Sequence, residues 1–308
     1  MELWDSFAER PFTGNVAGVV LDAADLDEGT MRAVAAELGA PTTGFVVAAE
    51  TGPPPAVSIR YFTPVQEIDA CGHVTVAVFS ALAKAGRLAA DKGDGGGVEV
   101  LLRTNAGRSL AVVRPAEDGA VAVEMFQRRP AHRPSPLGSD GIEALLGVSS
   151  DPRLPAEFSS TGLRHLVVPY PAPEDLRRLR PDFAGLAAFG REAGVDTVCV
   201  FAPDEARETR DGTVTRVRAR DFCSPIGNDE EPASGTTSGA LACYLFRHGI
   251  AATEGAAVKV SVRMGVEMGR PGRVEARLDL DEGNEVRRVS VLARATRALA
   301  GVMELPTR

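Results

Sequence analysis

The sequence is poor in cysteine and lacks the spacings that hold metals or disulfide frameworks. Its four cysteines are spread over 308 residues. None belongs to a C-x-x-C pair, and no histidine lies at metal-ligand spacing from them, which argues against a zinc site and a disulfide-bonded domain. We therefore expect no metal. Three cysteines are interpreted as core residues: Cys199, Cys223 and Cys243.

Long hydrophobic runs are also missing. No window approaches the ~20 consecutive apolar residues that a membrane-spanning helix needs. The beginning of the chain, MELWDSFAERPF, carries acidic side chains and no apolar run, so it does not resemble a secretory signal peptide. From these absences we expect no membrane partner and a cytoplasmic protein.

Lysine is scarce: the sequence has three, Lys84, Lys92 and Lys259, and the other 31 of the 34 cationic side chains are arginines. Acidic residues number 42, and the formal net charge is −8. This charge argues against nucleic acid or an anionic membrane as a partner. A small anionic substrate stays open, because one local site can be positive inside an acidic protein.

What the chain does contain is an internal duplication. The segment CGHVTVAVFSALAKAG at 71–86 aligns without a gap on SGTTSGALACYLFRHG at 234–249, and the glycines at the second and last positions match. In the same way, TGNVAGVV at 13–20 resembles TGLRHLVV at 161–168. The two halves of the chain therefore share a sequence pattern.

A further matching pair consists of IRYFTP at 59–64 and ARDFCSP at 219–225. With 308 residues, 44% of them hydrophobic, the chain is long enough for two domains. We predict one domain over 1–125 and a second over 126–296, with the last strand, 297–308, a candidate to rejoin the first.

The predicted elements follow the same order in both halves. Helical periodicity predicts an early helix at 24–40 and its counterpart at 172–190. A polar glycine turn is predicted at 91–97, and a linker rich in Pro, Gly and Ser at 128–141. Alternating or β-branched segments predict the strands VEVLLRT, SLAVVRP, AVAVEMFQ, DTVCVFAP, VKVSVRM, RVEARLDL and VRRVSVLARAT.

The two matched segments predict helices that are buried on all sides. They run VTVAVFSALA and SGALACYLF, with no wide polar face before Lys84 and Arg247. Each closes on a glycine that fits a helix C-cap. We therefore expect each half to wrap its strands around one central helix.

The helix beginnings, CGHVT and SGTTS, consist of small and polar residues that leave the first backbone N–H groups uncovered. Such a helix end binds anions through unpaired N–H groups and the helix dipole. Two similar domains would bring both ends to one cleft, where a small carboxylate would meet donors from both sides. The same donors would stabilise the negative charge that develops when a proton leaves the carbon beside the carboxylate, so they would lower the pKa of that proton.

Each motif also has an ordinary structural interpretation. Glycine with Ser or Thr is a common helix cap, and either motif alone favours a cap over a site. Two motifs at matched positions favour a site. The other histidines are assigned no chemistry: His132 is interpreted as a surface linker residue, His165 as a structural strand residue and His248 as a helix C-terminal residue.

Several segments together resemble the PhzF-like isomerases of phenazine biosynthesis, a branch of the diaminopimelate epimerase fold. The resemblance covers nearly the whole chain and is most specific in FTPVQEIDACGHVTVA at 62–77. The other matching segments are RPFTGNVAGVVLD at 10–22, GNDEEPASGTTSGALACYLFRHG at 227–249 and MGRPGRVEARL at 268–278.

The resemblance implies an α+β fold with two pseudo-symmetric domains, each a curved mixed sheet or barrel around a central helix. It places the active site in the cleft between the domains. It implies no cofactor, a homodimer, and a small-molecule carboxylate as substrate. The implied chemistry is a proton shift beside the carboxylate: isomerisation, tautomerisation or epimerisation.

The matched motifs also imply roles for individual residues. His73, Glu231 and Cys71 become the catalytic candidates, with Glu231 at the position of the family's aspartate and Thr236 at the position of its serine. The residues implied to bind substrate are Asn15, Thr42, Thr43, Gly72, Val74, Ser234, Gly235, Thr236 and Thr237.

The sequence departs from the family at Thr42. The family usually carries a Ser-Glu-Thr run after the first helix, with the glutamate as general acid/base, whereas this chain has GAPTTGF at 39–45. Threonine does not exchange protons near neutral pH, so this role is vacant. A racemase with two thiols is disfavoured as well, because Ser234 stands opposite Cys71.

Three functions stay open. The first is a cofactor-independent isomerase that moves a proton and a double bond beside the carboxylate of a small cyclic imino or diene acid, in specialised metabolism such as an alkylproline-type pathway. His73 and Glu231 would carry protons, with help from Cys71 if its pKa falls at the helix N-terminus. The second is an epimerase of a small amino or imino acid. The third is an inactive carboxylate-binding homologue, although acid/base candidates at both helix openings favour activity.

Overall fold

The structure, a computed structural model, describes residues 1–88, 97–116, 120–204 and 214–305. Most of the glycine turn predicted at 91–97 lies outside these residues. Contacts group the chain into two compact units, one formed by 1–126 with 292–308 and the other by 127–291.

The described part of the first unit contains two helices, eight strands and the second part of a ninth strand. Its elements in chain order are β1 (Glu2–Ser6), β2 (Asn15–Val20), α1 (Glu28–Leu38), β3 (Thr43–Glu50), β4 (Ala56–Phe62), β5 (Glu67–Ile68), α2 (Gly72–Lys84), β6 (Val98–Thr104), β7 (Gly107–Pro115) and β8 (Val121–Gln127). The chain returns to this unit through the second part of the long strand β18 (Val286–Ala300).

The strands of the first unit form a mixed sheet that closes on itself. β1 pairs antiparallel with β2, β2 parallel with β3, β3 antiparallel with β4, and β4 parallel with β6. The antiparallel pairs β6–β7 and β7–β8 continue the order. Since β18 pairs with both β1 and β8, the sheet is a closed barrel.

Helix α2 is the central helix of this unit, and its residues from His73 to Leu82 are all buried. The helix packs closely on the sheet because Gly44 of β3 has no side chain. A Cβ there would lie 2.6 Å from Val74 Cγ1 and 2.9 Å from Val78 Cγ2. The opposite face of the sheet is covered by α1, which buries Met31 and other apolar residues against the phenylalanines of β3 and β4.

The second unit repeats this arrangement with more outer helices. Its elements are β9 (Ala131–Pro134), α3 (Ser139–Leu146), β10 (Glu157–Ser160), β11 (Arg164–Pro169), α4 (Pro173–Arg178), α5 (Phe183–Ala193), β12 (Thr197–Pro203), β13 (Val214–Phe222), a 3-10 turn (Ser224–Ile226), β14 (Glu230–Glu231), α6 (Gly235–Arg247), β15 (Thr253–Glu254), β16 (Ala257–Met264), β17 (Gly272–Leu280) and the first part of β18.

The strand pairings of the second unit copy those of the first in type and order. β10–β11 is antiparallel, β11–β12 parallel, β12–β13 antiparallel, β13–β16 parallel and β16–β17 antiparallel. Helix α6 takes the place of α2, with all but Thr236 of the residues from Gly235 to Leu245 buried. Helices α3, α4 and α5 cover the outer face of the sheet. The predicted buried central helices are therefore confirmed.

The ends of the two central helices also match. In α2, Gly86 N donates to Ala83 O at 3.0 Å, and in α6, Gly249 N donates to Phe246 O at 3.0 Å. Both glycines have positive φ, 70° and 68°. The glycines follow directly after the C-caps, Ala85 and His248, at the left-handed position that favours glycine, so the predicted glycine-terminated helix ends are confirmed.

Three local predictions were wrong or incomplete. The helix predicted at 172–190 is two helices, α4 and α5, because Pro181 between them lacks an N–H group and disfavours a helical residue before it. The linker predicted at 128–141 contains β9 and the start of α3. His132, interpreted as a surface linker residue, is half-buried in β9, where its backbone pairs with Ser159 of β10.

The interpretations of three cysteines and two histidines are confirmed. Cys199, Cys223 and Cys243 are buried free thiols. His165 is a fully buried strand residue, and His248 forms the C-cap of α6. No helix in the described part of the chain is long and apolar enough to cross a membrane.

Candidate functional site

The N-terminus of α2 carries the residues to which the sequence assigned proton chemistry. Cys71 is the N-cap, with extended backbone and no side-chain capping bond. Within the described chain the N–H groups of Gly72, His73 and Val74 have no acceptor, as expected for a first helical turn. A Cβ on Gly72 would have only Met125 Cε, at 3.8 Å, within 4 Å, so the backbone is open to a ligand.

The imidazole of His73 contacts two of the predicted site residues. Its Nδ1 lies 3.4 Å from Asn15 Nδ2 and 3.4 Å from Cys71 Sγ. The ring is largely buried, whereas Cys71 is partly exposed. Asn15 reaches this place because Gly14 before it has φ of 62° and no room for a side chain, since a Cβ would lie 2.1 Å from Ser6 O. The structure therefore brings Asn15, Cys71 and His73 together.

Buried hydroxyl groups fix this helix end from below. Thr75 Oγ1 donates to Cys71 O at 2.8 Å and lies 2.6 Å from Tyr61 Oη. Ser6 Oγ donates to His73 O at 2.6 Å. Burial raises the pKa of Tyr61 despite the opposing effect of the Thr75 hydrogen bond, so the phenol stays neutral. The first turn of α2 is thus held in place by three buried side chains, those of Ser6, Tyr61 and Thr75.

Among the described residues, no side-chain hydrogen bond joins the group of Asn15, Cys71 and His73 to three other predicted site residues, Thr42, Thr43 and Val74. Thr42 O accepts from Gly18 N at 3.0 Å at the start of β3. Thr43 Oγ1 is buried without a hydrogen-bond partner. The side chain of Val74 packs on Gly44 with no exposed surface, so only its backbone N–H is available to a ligand.

The N-terminus of α6 carries the second group of predicted residues. Ser234 is the N-cap, and its Oγ accepts from Thr237 N at 3.4 Å. Ser234 Oγ also lies 3.2 Å from Thr236 Oγ1 and 2.9 Å from Thr237 Oγ1. The N–H groups of Gly235 and Thr236 have no acceptor in the described chain. The structure therefore brings these four residues together at one helix end, which suits an anion.

The two neighbouring glutamates before α6 have different environments. Arg220 binds Glu230 with two hydrogen bonds, Nε to Oε1 at 2.9 Å and Nη2 to Oε2 at 2.8 Å. Glu231 is the next residue of the short strand β14, so its side chain points to the other face. Asn228 Nδ2 donates to Glu231 Oε1 at 3.4 Å. The two carboxylates therefore lie on opposite faces of β14, and Arg220 binds the one that belongs to Glu230.

The arginine–glutamate pair was missed in the sequence although the first unit contains its twin. Arg60 binds Glu67 in the same bidentate way, at 2.7 Å for both bonds. Arg60 and Arg220 also stack over the rings of Phe62 and Phe222, at 5.1 and 4.8 Å. The signal that could have found them is the matched pair IRYF and ARDF, which places an arginine two residues before each phenylalanine.

Two more residues of the second site were missed. Gln127 Nε2 donates to Gly235 O at 2.8 Å, and its Oε1 accepts from Thr161 Oγ1 at 2.5 Å. This close approach requires Gly239, since a Cβ there would lie 2.0 Å from Gln127 Oε1. The carboxyl group of Asp221 lies beneath the helix end, with its Oδ2 2.6 Å from Thr237 Oγ1. In the described part of the chain, no cluster of three His, Cys, Asp or Glu residues suits a metal ion.

Comparison with known proteins decides the family. The model of the phenazine biosynthesis-like protein family matches residues 4–301. The chain belongs to this family. An uncharacterised isomerase of Deinococcus radiodurans is 36% identical over 293 residues, which cover 93% of this chain and 88% of the relative. The trans-2,3-dihydro-3-hydroxyanthranilate isomerase of Pseudomonas chlororaphis is 30% identical over 289 residues, 93% of this chain and 92% of the relative.

Solved structures of the phenazine biosynthesis-like family share the fold. The PhzF-family phenazine biosynthesis protein of Bacillus anthracis superposes with a TM-score of 0.82 at 27% identity, covering 96% of this chain and 95% of the other. The predicted α+β fold of the PhzF and diaminopimelate epimerase type is thus confirmed. The relatives of Deinococcus radiodurans and Pseudomonas chlororaphis are named isomerases, which supports an isomerase activity for this chain.

Proposed function

We propose that this chain is a cofactor-independent isomerase that moves a proton, and with it a double bond, beside the carboxylate of a small unsaturated acid. The observation that carries the proposal is the His73 imidazole, held by Asn15 and Cys71 at the open N-terminus of a buried helix. The family's named isomerases support the reaction class.

His73 acts as the proton acceptor at the carbon next to the carboxylate. For Nε2 to accept this proton, Nδ1 carries the hydrogen of the neutral ring and donates it either to the amide oxygen of Asn15 or to Cys71 Sγ. The electrons of the broken C–H bond form the new double bond, and the far carbon of the old double bond takes up a proton. No oxidant or reductant is needed.

The helix ends hold the carboxylate and stabilise the charge that develops on it. Unpaired N–H groups at Gly72 and Gly235 and the two helix dipoles favour negative charge, by about 0.3–1 kcal/mol per exposed helix end and up to ~2 kcal/mol when partly buried. Charge that delocalises into the carboxylate as the proton leaves is stabilised in the same way.

Glu231 is proposed as the second proton carrier, because it lies just before the α6 helix end, at the position where the resemblance implies the family's aspartate. Cys71 assists His73 through the Sγ–Nδ1 contact. Thr42 takes the position where the resemblance implies a glutamate, so this chain runs its proton transfer without that group. General acid/base groups are typically worth ~10²–10⁴-fold each, and two positioned groups suffice for an already acidic proton.

The substrate class is a small cyclic imino or diene acid. The Pseudomonas chlororaphis relative is named for a cyclic dihydro acid, which supports this class. We further propose a role in specialised metabolism, such as an alkylproline-type building block, and a cytoplasmic homodimer.

The test is incubation of the protein with a pyrroline carboxylate or a diene carboxylate in D₂O, followed by NMR. The isomerase is expected to introduce deuterium at the carbon that gains the proton and to shift the double bond. His73→Ala and Glu231→Gln should lose this exchange by at least ~10²-fold. Glu230→Gln is the matched control, since it alters the neighbouring carboxylate and should keep the exchange in the folded fraction.

The other functions give different results. An epimerase would place deuterium on one carbon and invert it with the double bond unmoved. A binder without turnover would raise the melting temperature with these acids and exchange nothing. Full exchange in both His73→Ala and Glu231→Gln would overturn the residue assignment.

A further inference from the structure

A buried carboxyl group lies beneath the α6 helix end, where the proposed mechanism gives it no part. Asp221 of β13 has 1% of its surface exposed and pairs in register with Glu231 of β14. The matching register position in the first unit is Tyr61, paired with Ile68 of β5. At these equivalent positions of the two units, the first has the neutral phenol of Tyr61 and the second has the ionisable carboxyl group of Asp221.

Three hydroxyl groups connect this carboxyl group to the helix end. Thr237 Oγ1 lies 2.6 Å from Asp221 Oδ2 and 2.9 Å from Ser234 Oγ. Ser234 Oγ lies 3.2 Å from Thr236 Oγ1. The chain of hydrogen bonds thus runs from Asp221 through Thr237 to Ser234, the N-cap, and on to Thr236.

Each hydroxyl in this chain has one proton, so the protonation of Asp221 sets the direction of the chain. If Asp221 is ionised, Thr237 must donate inward to it, and Ser234 then donates inward to Thr237. If Asp221 keeps its proton, it donates to Thr237, Thr237 donates to Ser234, and the Ser234 proton points outward. A carboxylate ligand only accepts hydrogen bonds, so it is bound better by the outward direction.

The surroundings of Asp221 offer no cation that would keep it ionised. None of the ion pairs among the described residues includes Asp221, and its Oδ1 is buried without a hydrogen-bond partner. Burial raises the pKa of Asp221 and the charge of Glu231 adds to the rise, against lowering by His165 and by the Thr237 hydroxyl. The pKa of the buried His165 is itself lowered, chiefly by burial, so this ring is neutral.

We propose that Asp221 keeps its proton in the native protein and is a positioning residue, which turns the Thr237 and Ser234 hydroxyls outward so that Ser234 donates to the ligand carboxylate. This inference rests on the proposed function, because it deepens the account of how the α6 end grips an acid. Asp221 itself touches no ligand and acts through Thr237.

Infrared spectroscopy near neutral pH tests the protonation state without any ligand. The difference spectrum of the wild-type protein minus Asp221→Asn is expected to contain the carbonyl band of one protonated carboxyl group. A carboxylate band in its place would overturn the proposal.

Ligand binding tests the consequence, with 2-aminobenzoate as a fluorescent carboxylate probe. Asn at position 221 also donates to Thr237, so Asp221→Asn should bind within about twofold of the wild type. Asp221→Leu has a similar shape and no donor, and it should bind about tenfold more weakly, as expected for a lost hydrogen bond to a charged group. Replacing a buried polar group by an apolar one of similar shape is compatible with folding, which circular dichroism checks.

Double variants show whether the effect passes through Ser234. In a Ser234→Ala background, Asp221→Leu should cause no further loss of 2-aminobenzoate affinity. An equal loss in both backgrounds would overturn the proposal, as would tighter binding by both Asp221 variants, which an ionised aspartate predicts. Failure of the wild-type protein to bind 2-aminobenzoate would count against the proposed function alone, because the infrared result decides the proton on Asp221 independently.

Discussion

At the scale of single residues, the two arginine–glutamate pairs show how similar local sequences are used at different depths. The side chains of Arg220 and Glu230 are 10% and 11% exposed, whereas those of Arg60 and Glu67 are 29% and 19% exposed. Breaking a buried pair leaves an unpaired charge in a poorly solvated place, which costs more than breaking a partly exposed one.

Glu230→Gln is therefore expected to lower the free energy of unfolding by about 2–4 kcal/mol. Glu67→Gln, the matched control in the first unit, should cost about 1 kcal/mol. Urea denaturation of the two variants measures the difference. Equal losses would contradict the view that burial sets the value of these pairs.

Thr42 provides a second residue-scale prediction. If this position corresponds to the glutamate that the family resemblance implies, Thr42→Glu adds a proton carrier and should raise the deuterium exchange rate with the proposed acids by about tenfold or more. Thr42→Gln is the matched control, because it has the same length and cannot carry a proton. An equal effect of both substitutions would rule out the proton-transfer explanation.

Sequence reasoning found the helix-end residues but not their supports. His73, Cys71, Ser234 and Thr236 stand in short contiguous motifs, which a sequence displays directly. Asp221 was missed because an acid inside a strand pattern gives no sign of burial before the register of β13 is known. The partner of Arg220 was equally hidden, since β14 has two residues and forms no periodic pattern.

At the scale of elements, the central helices were predictable and the outer helices less so. Helices α2 and α6 have apolar residues on all sides, and a helix of this kind is stable in a globular protein only when it is fully buried. The segment 172–190 has helical periodicity on both sides of Pro181, so periodicity alone predicts one helix. The proline lacks a backbone N–H group, and the segment therefore forms two helices, α4 and α5. The predicted strands are confirmed, because alternation over five or more residues is a strong signal.

Gly44 sets how closely α2 packs on the sheet, and its substitution tests that contact. Gly44→Ala is expected to lower the free energy of unfolding by about 1–3 kcal/mol, because the new methyl group would overlap Val74 and Val78. Adding Val74→Ala makes room, so the double variant should lose less than the sum of the two single variants. Chemical denaturation measures this, and strict additivity would show that the contact does not limit packing.

At the scale of the whole molecule, the duplication explains more than any single motif. Both units use the same order of parallel and antiparallel pairings, and both close α2 and α6 with the same glycine hydrogen bonds. The sequence predicted two similar halves, whereas the parallel pairs β4–β6 and β13–β16 join segments far apart in the chain. Such long-range pairings follow from packing and leave no local pattern.

The buried His165 makes the stability of the molecule depend on pH. Burial lowers its pKa below the ordinary value near 6.5. Below about pH 6.5 the imidazole is therefore protonated in the unfolded chain and stays neutral in the native state. The free energy of unfolding falls as the pH drops, by up to ~1.4 kcal/mol per pH unit. His165→Gln should remove this part of the loss.

The measurement is the free energy of unfolding between pH 7 and pH 5, with and without His165→Gln. Both proteins should carry Asp221→Asn, because the raised pKa of Asp221 makes the native state bind a proton at acid pH and opposes the effect of His165. An unchanged pH slope after His165→Gln would contradict a neutral buried imidazole.

The central claim is that His73 at the open end of α2 moves a proton beside a carboxylate. Its most direct test is the rate at which the protein and His73→Ala, both verified as folded, introduce solvent deuterium into a pyrroline carboxylate. We predict position-specific exchange with migration of the double bond in the wild type, and a loss of at least ~10²-fold in the variant. Equal exchange by the two proteins would contradict the account.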